Sequence, residues 1–330
     1  MKGGKMDKEL LLKLFKIPAP TRKETAISGF IETYLSQNGI IYEKDKIGNI
    51  YNIGYKNKPL LSAHMDTVQG DDDTKLVDFI KIRGDCLSGY GVIGGDDKCG
   101  IYIILELLKT RKFNFIFSVQ EENGGIGITN FVRDNYLGDI LYCLVLDRRG
   151  SSDIICYNNR YGTLNFQNKL VSIGREFGYL TNTGIFSDAN ILSTKLSCAN
   201  LSVGYHNPHT TNEFVFLSEL ENAKEYVITI IDEVKIKFEK PKSYDYDYCC
   251  NYDSYDYDSC CDDFDELDLF DRKYSCVFCR TYNNTFYLET LEKCICKSCA
   301  EKFFRDLAPE DLIDRESEED NIKLFDDYIL

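Results

Sequence analysis

The chain has 330 residues, 43% of them hydrophobic, and a formal net charge of −15. That length admits one large domain with a small companion, and the apolar fraction is enough for a substantial core. No apolar stretch approaches the roughly 18 residues of a membrane span, the N-terminal MKGGKMDKELLLKLFKIPAP has no apolar region of signal-peptide length, and no basic patch is present, so the sequence predicts a cytoplasmic protein without membrane or nucleic-acid partners.

In chain order, helical periodicity marks 7–16, through Leu10, Leu11 and Leu14, and 24–37, through Ile27, Phe30, Ile31 and Tyr34. Short β-type runs follow at 49–54, 59–64 and 79–84, then an apolar helix over 100–108. An apolar run at 113–119 comes next, then the runs at 141–147 and 199–203, and an amphipathic helix over 217–235 closes the series. Continuous apolar runs between helices predict an α/β fold, a mainly parallel mixed sheet buried between helices, with ligands at the carboxyl ends of its strands.

The texture changes after residue 240. Residues 241–330 hold 24 acidic and 10 basic side chains, against 30 and 29 in residues 1–240. YDYDYCC (244–250) returns as YDYDSCC (255–261), with no apolar periodicity, which predicts a disordered acidic linker over 241–272. A four-cysteine module over 273–307 and an acidic tail over 308–330 complete the chain.

The polar residues that stand out sit where strands end. PLLSAH ends in His64, with Asp66 two residues on. NFIFSVQ leads to Glu121 and Glu122, LYCLVLD ends in Asp147, and His209 follows the run at 199–203 by a short loop. Asp96 and Asp97 stand behind two glycines, just before the apolar helix. Histidines and carboxylates of this kind suit a divalent metal with N and O ligands, zinc first and cobalt or manganese as alternatives. His64, Asp96, Glu122, Asp147 and His209 are five ligands, which serve two ions about 3.5–4 Å apart if one carboxylate bridges. Asp96 is the expected bridge, with the glycines allowing a tight turn beside it, and Asp97 is expected to cap the helix instead. Glu121, free of metal, is the candidate general base, and Asp66 the candidate orienter of His64. Two alternatives stay open on the residues alone: His206 in place of His209 as ligand, and a salt bridge of Asp147 with Arg148 or Arg149.

HMDTV (64–68), GGDDKCG (94–100), SVQEENGG (118–125), LVLD (144–147), SDANIL (187–192) and HTTNE (209–213) occur in one order that resembles the dinuclear zinc exopeptidases, nearest the peptidase T and tripeptidase-like branch, with zinc aminopeptidases, carboxypeptidases and aminoacylases as relatives. The resemblance covers about residues 7–235. It implies that His64 and Asp147 bind one ion, Glu122 and His209 the other, and Asp96 both. It also implies Glu121 as general base and then acid to the leaving amine, Asp66 as orienter of His64, a cis Asp96–Asp97 peptide, and Asp188 near the site on the substrate side. The HTTNE match favours His209 over His206. The substrate expected is a small peptide. The sequence departs from the family where a lid or dimerisation domain of about a hundred residues normally stands. Asp147 and Asp188 are only 41 positions apart here, so no lid and no lid-mediated dimer are expected, and the site should be open.

Cys276-x2-Cys279 and Cys296-x2-Cys299, separated by 16 residues, have the spacing of a zinc ribbon or treble clef with a hairpin between the knuckles. One structural zinc and a protein partner for this module are expected. Cys294, Cys249, Cys250, Cys260 and Cys261 have no assigned role, and Cys86, Cys99, Cys143, Cys156 and Cys198 are expected in or near the core. Two further readings compete with the peptidase: an N-acyl amino acid deacylase, and a catalytically idle scaffold that binds proteins through the acidic linker and the zinc module.

Overall fold

The computed structural model describes residues 6–241 and the backbone of two later strands, 285–288 and 293–296. Of the described residues, 6–82 and 86–241 group as one compact unit. The chain enters it through α1 (Lys8–Phe15) and α2 (Thr25–Gln37). Asp7 caps α1 by accepting the Leu10 N–H at 2.9 Å, and Leu10, Leu11, Leu14 and Phe15 form its buried stripe.

The centre of the unit is an eight-stranded sheet. Its strands are β1 (Glu43–Lys44), β2 (Ile50–Asn52), β3 (Leu60–His64), β6 (Asn114–Ser118), β7 (Cys143–Arg148), β8 (Asp153–Ile155), β9 (Leu180–Asn182) and β10 (Cys198–Ser202), in the order β1-β2-β6-β3-β7-β10-β8-β9. The four middle strands, β6, β3, β7 and β10, run parallel. β2 and β8 join them antiparallel on either side. The parallel strands are the continuous apolar runs of the sequence, and all five residues of β3, β6 and β10 are buried. A smaller sheet has the order β11-β12-β5-β4, from β11 (Tyr205–His206), β12 (Phe214–Phe216), β5 (Cys86–Ser88) and β4 (Lys81–Arg83).

Helices cover the large sheet. α4 (Gly95–Leu108) packs on β3 and β7, with α1 and α8 (Leu217–Glu233) against it. α6 (Leu164–Gly174) packs on α8, while α5 (Ile126–Asp134) and α7 (Asp188–Leu192) pack together, α7 also against β7 and β10. The short α3 (Asp71–Leu76) lies on the surface. Cys86, Cys99, Cys143, Cys156 and Cys198 are buried free thiols, as expected of core fillers. Between Asp147 and Asp188 the chain forms β8, α6 and β9, all belonging to this unit, and no separate domain is inserted. Among the described residues, no helix is long and apolar enough to cross a membrane.

The second described piece is an antiparallel pair, β13 (Thr285–Leu288) with β14 (Lys293–Cys296). It overlaps the hairpin expected between the cysteine knuckles. Cys276, Cys279 and Cys299, the side chain of Cys296, the linker and the tail lie outside the described residues.

Gly100 sets how closely α4 approaches the sheet. A Cβ at this position would overlap the Leu146 carbonyl oxygen of β7 and stand 2.5 Å from Asp97 Oδ1. Alanine gains about 1 kcal/mol in helix propensity over glycine. Overpacking a rigid backbone contact costs about 1–3 kcal/mol. The clash wins, so Gly100→Ala is expected to lower stability, read as an earlier urea midpoint; an unchanged or later midpoint would show that α4 can shift.

Candidate metal centre

The carboxyl ends of the parallel strands deliver the site. β3 ends in His64, β7 carries Asp147 next to its last residue, and β6 leads through Gln120, at φ 54°, into Glu121 and Glu122. Asp96 comes from the start of α4 and His209, at φ 63°, from the loop between β11 and β12. The start of α4 is not regular helix. Gly94 is left-handed at φ 75°, where a Cβ would stand 2.7 Å from Thr67 Cγ2. The Asp96–Asp97 peptide is cis. Asp97 accepts the Gly100 N–H at 3.0 Å and the His64 N–H at 3.1 Å, so both its oxygens serve the main chain. It caps the regular part of the helix, as its place in the sequence suggested.

Asp96 turns one oxygen to each histidine. Its Oδ1 is 3.0 Å from His64 Nε2 and its Oδ2 is 3.2 Å from His209 Nε2. Each histidine has a second carboxylate of its own. Asp147 Oδ1 lies 3.6 Å from His64 Nε2, and Glu122 Oε1 lies 2.8 Å from His209 Nε2. The structure thus brings all five expected ligands together. His206 is elsewhere, with its Nε2 2.5 Å from Glu219 Oε2 and its ring stacked on Phe214. Arg148 pairs with Asp153 and leaves Asp147 to the site.

His64 is oriented by Asp66, through the main chain. Its Nδ1 faces the Asp66 carbonyl oxygen at 2.9 Å and the carboxylate only at 3.5 Å. The Asp66 carboxylate instead accepts the N–H groups of Glu121 (2.9 Å) and Glu122 (3.2 Å) and the Thr21 hydroxyl (3.0 Å). Asp188 is buried at the start of α7, where Ser118 donates to its Oδ2 at 2.6 Å.

Three supporting residues were not foreseen. Glu213 is fully buried and accepts N–H groups from Ile93 (3.0 Å), Gly94 (2.8 Å) and Asp96 (3.2 Å), which fixes the turn that presents Asp96. Asn200 of β10 clamps Asp147 from both sides, accepting its N–H at 3.1 Å and donating to its carbonyl at 2.8 Å. Tyr205 donates its hydroxyl to Asp147 Oδ1 at 3.2 Å. Glu213 lies in the HTTNE stretch, and that was the only sequence signal for any of the three.

The electrostatics are those of crowded, buried acids. Burial, then the charge of Asp96, pushes the Asp147 carboxyl up to about 8. Burial, with Asp147, Asp188 and Glu122 nearby, pushes Glu121 up to about 10. Burial raises Asp188 to about 6 against the opposing bond from Ser118. Burial also works on Asp96, yet hydrogen bonds from His209 and His64 hold it below the ordinary range. Asp96, and after it Glu122, in turn push His209 up to about 10.

This donor set fits a divalent metal. The ligating atoms of His64, Glu121 and Glu122, of His64, Asp97 and Asp147, and of Asp96, Glu122 and His209 form groups within 4.8 Å. Asp188 Oδ1 is buried with no hydrogen-bond partner, and Glu122 Oε1 faces His209 Nε2. Nitrogen and carboxylate oxygen in these numbers suit zinc, with cobalt and manganese as alternatives.

Comparison with known proteins places the fold. No family model matches the chain. A sequence from Pyrococcus abyssi, named as a LysW-lysine/LysW-ornithine hydrolase, is 32% identical over 118 residues. That match takes in 34% of this chain and spans about a third (33%) of the relative's length. Among solved structures, aminopeptidase PepT from Bacillus cereus is similar over 68% of this chain and 97% of its own, at 15% identity and a TM-score of 0.55. A tripeptidase from Staphylococcus aureus is similar over 70% of this chain and 100% of its own, at 16% identity and a TM-score of 0.53. The chain has the α/β fold of these peptidases.

Two outcomes follow from the geometry. Glu213→Ala strands two buried N–H groups and a part-buried one, each buried donor worth about 1–3 kcal/mol, so a loss of at least about 2 kcal/mol is expected in urea unfolding; a loss below about 1 kcal/mol would remove Glu213 from this role. Asp96→Ala in the full chain, dialysed against zinc, is expected to hold about two fewer ions than wild type by mass spectrometry. Equal metal content in the two proteins would dismiss the centre.

Proposed function

We propose that the chain is a metal-dependent exopeptidase of small peptides, an aminopeptidase or tripeptidase. The observation that carries this reading is the Asp96 carboxylate, with one oxygen facing each of two histidines that each have a further carboxylate. In this reading His64 and Asp147 would hold one divalent ion and His209 and Glu122 a second, with Asp96 available to both. Bound there, such ions would supply an acidified water and positive charge for the oxygen of the cleaved amide.

The remaining chemistry belongs to side chains of this chain. Glu121 stands beside the ligand Glu122, with its N–H fixed by Asp66. Its carboxylate takes the proton of the attacking water and hands it to the leaving amine. Asp66 orients both halves of the site: its carbonyl fixes the His64 ring, and its carboxylate fixes the Glu121–Glu122 backbone. In this reading Asp188, held by Ser118, serves the substrate side. Peptidase activity in structures of the same fold and a hydrolase among sequence relatives support the reading. It extends to a cytoplasmic location, and to a structural zinc on Cys276, Cys279, Cys296 and Cys299 that serves a protein partner.

The test is Glu121→Gln in the zinc- or cobalt-loaded full chain, assayed on di- and tripeptides and on N-acyl amino acids. Metal content is expected to stay at the wild-type level while kcat falls about 10²- to 10⁴-fold. Turnover of the variant within a factor of a few of wild type would sink the mechanism. Cleavage of N-acyl amino acids alone would move the activity to a deacylase.

A further inference from the structure

Beside the metal centre, two apolar side chains stand in solvent on a backbone that is tied down. Ile185 is 84% exposed and Phe186 49%. The loop that carries them is pinned by side chains. Asn159 donates to the Gly184 carbonyl at 2.8 Å and accepts the Gly184 N–H at 3.0 Å. The Tyr161 hydroxyl reaches the Ile185 carbonyl at 3.0 Å, and Asn190 Oδ1 accepts the Ser187 N–H at 2.9 Å. A loose loop could fold such side chains back onto the protein; this one holds them out.

The loop adjoins the site by two routes. Phe186 is two residues before Asp188. Its ring tip also reaches Gly125, where a Cβ would stand 3.2 Å from Phe186 Cζ and 2.7 Å from Ile191 Cδ1. The Gly125 N–H donates to the Glu121 carbonyl at 2.9 Å, closing the turn that carries Glu121 and Glu122. Ile126, next in the chain, is itself 37% exposed. Phe186 and Ile191 therefore meet at Gly125, on the turn that carries Glu121, with the exposed Ile185 and Ile126 next to them in the chain, and no charged residue occurs from 177 to 187. Contiguous exposed apolar surface beside a polar site is the usual form of a binding surface.

We propose that this rim receives the side chain of the substrate residue on the leaving-group side of the scissile bond, so that the enzyme prefers peptides with a leucine- or phenylalanine-like residue there. The inference rests on the peptidase reading, because Glu121 protonates the leaving amine and the residue bearing that amine comes to lie along Gly125 and Phe186. A methylene enclosed in an apolar pocket is worth roughly 10- to 200-fold in selectivity, and an open rim supplies the lower part of that range.

The experiment compares Ala-Leu-Gly with Ala-Gly-Gly on the zinc-loaded full chain. Wild type is expected to favour Ala-Leu-Gly by about tenfold or more in kcat/KM. Phe186→Ser is expected to erase the preference, chiefly through a higher KM for Ala-Leu-Gly. Ile185→Ser, at a position too exposed to threaten folding, is expected to weaken the preference in the same direction. Calorimetry in a Glu121→Gln background reads peptide binding without turnover, and Phe186→Ser is expected to weaken Ala-Leu-Gly there and leave Ala-Gly-Gly unchanged. Turnover with equal selectivity in wild type and Phe186→Ser overturns the rim and leaves the peptidase standing. No turnover of any peptide by wild type, with Ala-Leu-Gly binding still lost in Phe186→Ser, overturns the peptidase and leaves the rim. A dimer that Ile185→Ser dissociates, with selectivity unchanged, gives the patch to a second copy of the chain and overturns the proposal.

Discussion

The Asp96 carboxylate, with one oxygen facing each histidine, is the contact on which the rest of the centre depends. Around it the fold gathers Asp66, Asp97, Asp147, Asp188, Glu121 and Glu122, far more negative charge than two imidazoles can balance. Burial is the largest cause acting on Asp97, Asp147, Asp188 and Glu121, and in each it raises the carboxyl toward its neutral form. Buried like charges without partners are among the costliest arrangements a protein can hold. Protons on the acids and on His209 relieve part of the strain. Divalent cations relieve it while leaving the carboxylates ionised, which is the state that ligation and base catalysis need.

A division of labour follows. The acids that would face metal, Asp96, Glu122 and Asp147, are spared from holding main-chain N–H groups. Asp66, Asp97 and Glu213 do that work instead, each accepting from two or three N–H groups near the centre. Asn200 performs it for Asp147 without charge. Each such acid removes an orphan donor and at the same time stiffens the segment that presents a ligand or the base. This is how short loops at strand ends hold a charged site in place.

The sequence was most legible where chemistry and strand periodicity coincide. β3, β6, β7 and β10 are buried and largely apolar, and a histidine or acid at the end of such a run has one evident destination in a parallel sheet. His64, Glu121, Glu122 and Asp147 were readable for that reason. Glu213 was not, although it stood in a stretch already singled out, because its partners are main-chain N–H groups 117 to 120 residues away and carry no side-chain signature. Asp66 was readable as the orienter of His64, but the sequence cannot tell a carbonyl from a carboxylate of the same residue. The strands β8, β9, β11 and β12 escaped notice because two or three residues are too few to show a period, and their pairing is decided by neighbours far along the chain.

The stretch from Asp147 to Asp188 ties the fold to the breadth of its chemistry. Forty residues are spent on β8, α6 and β9, which finish the sheet and return the chain to the site at Asp188. The return loop is bonded through Asn159, Tyr161 and Asn190, residues of that same stretch and of α7, so its position is set locally. With the connection closed in this way, the rim at Ile185 and Phe186 is finished by side chains of the catalytic unit itself. On the proposed function, selectivity then comes from contacts close to the scissile bond, and the far end of a peptide meets no inserted domain. An enzyme built so reads the residues beside the cut more closely than the length of what it cuts.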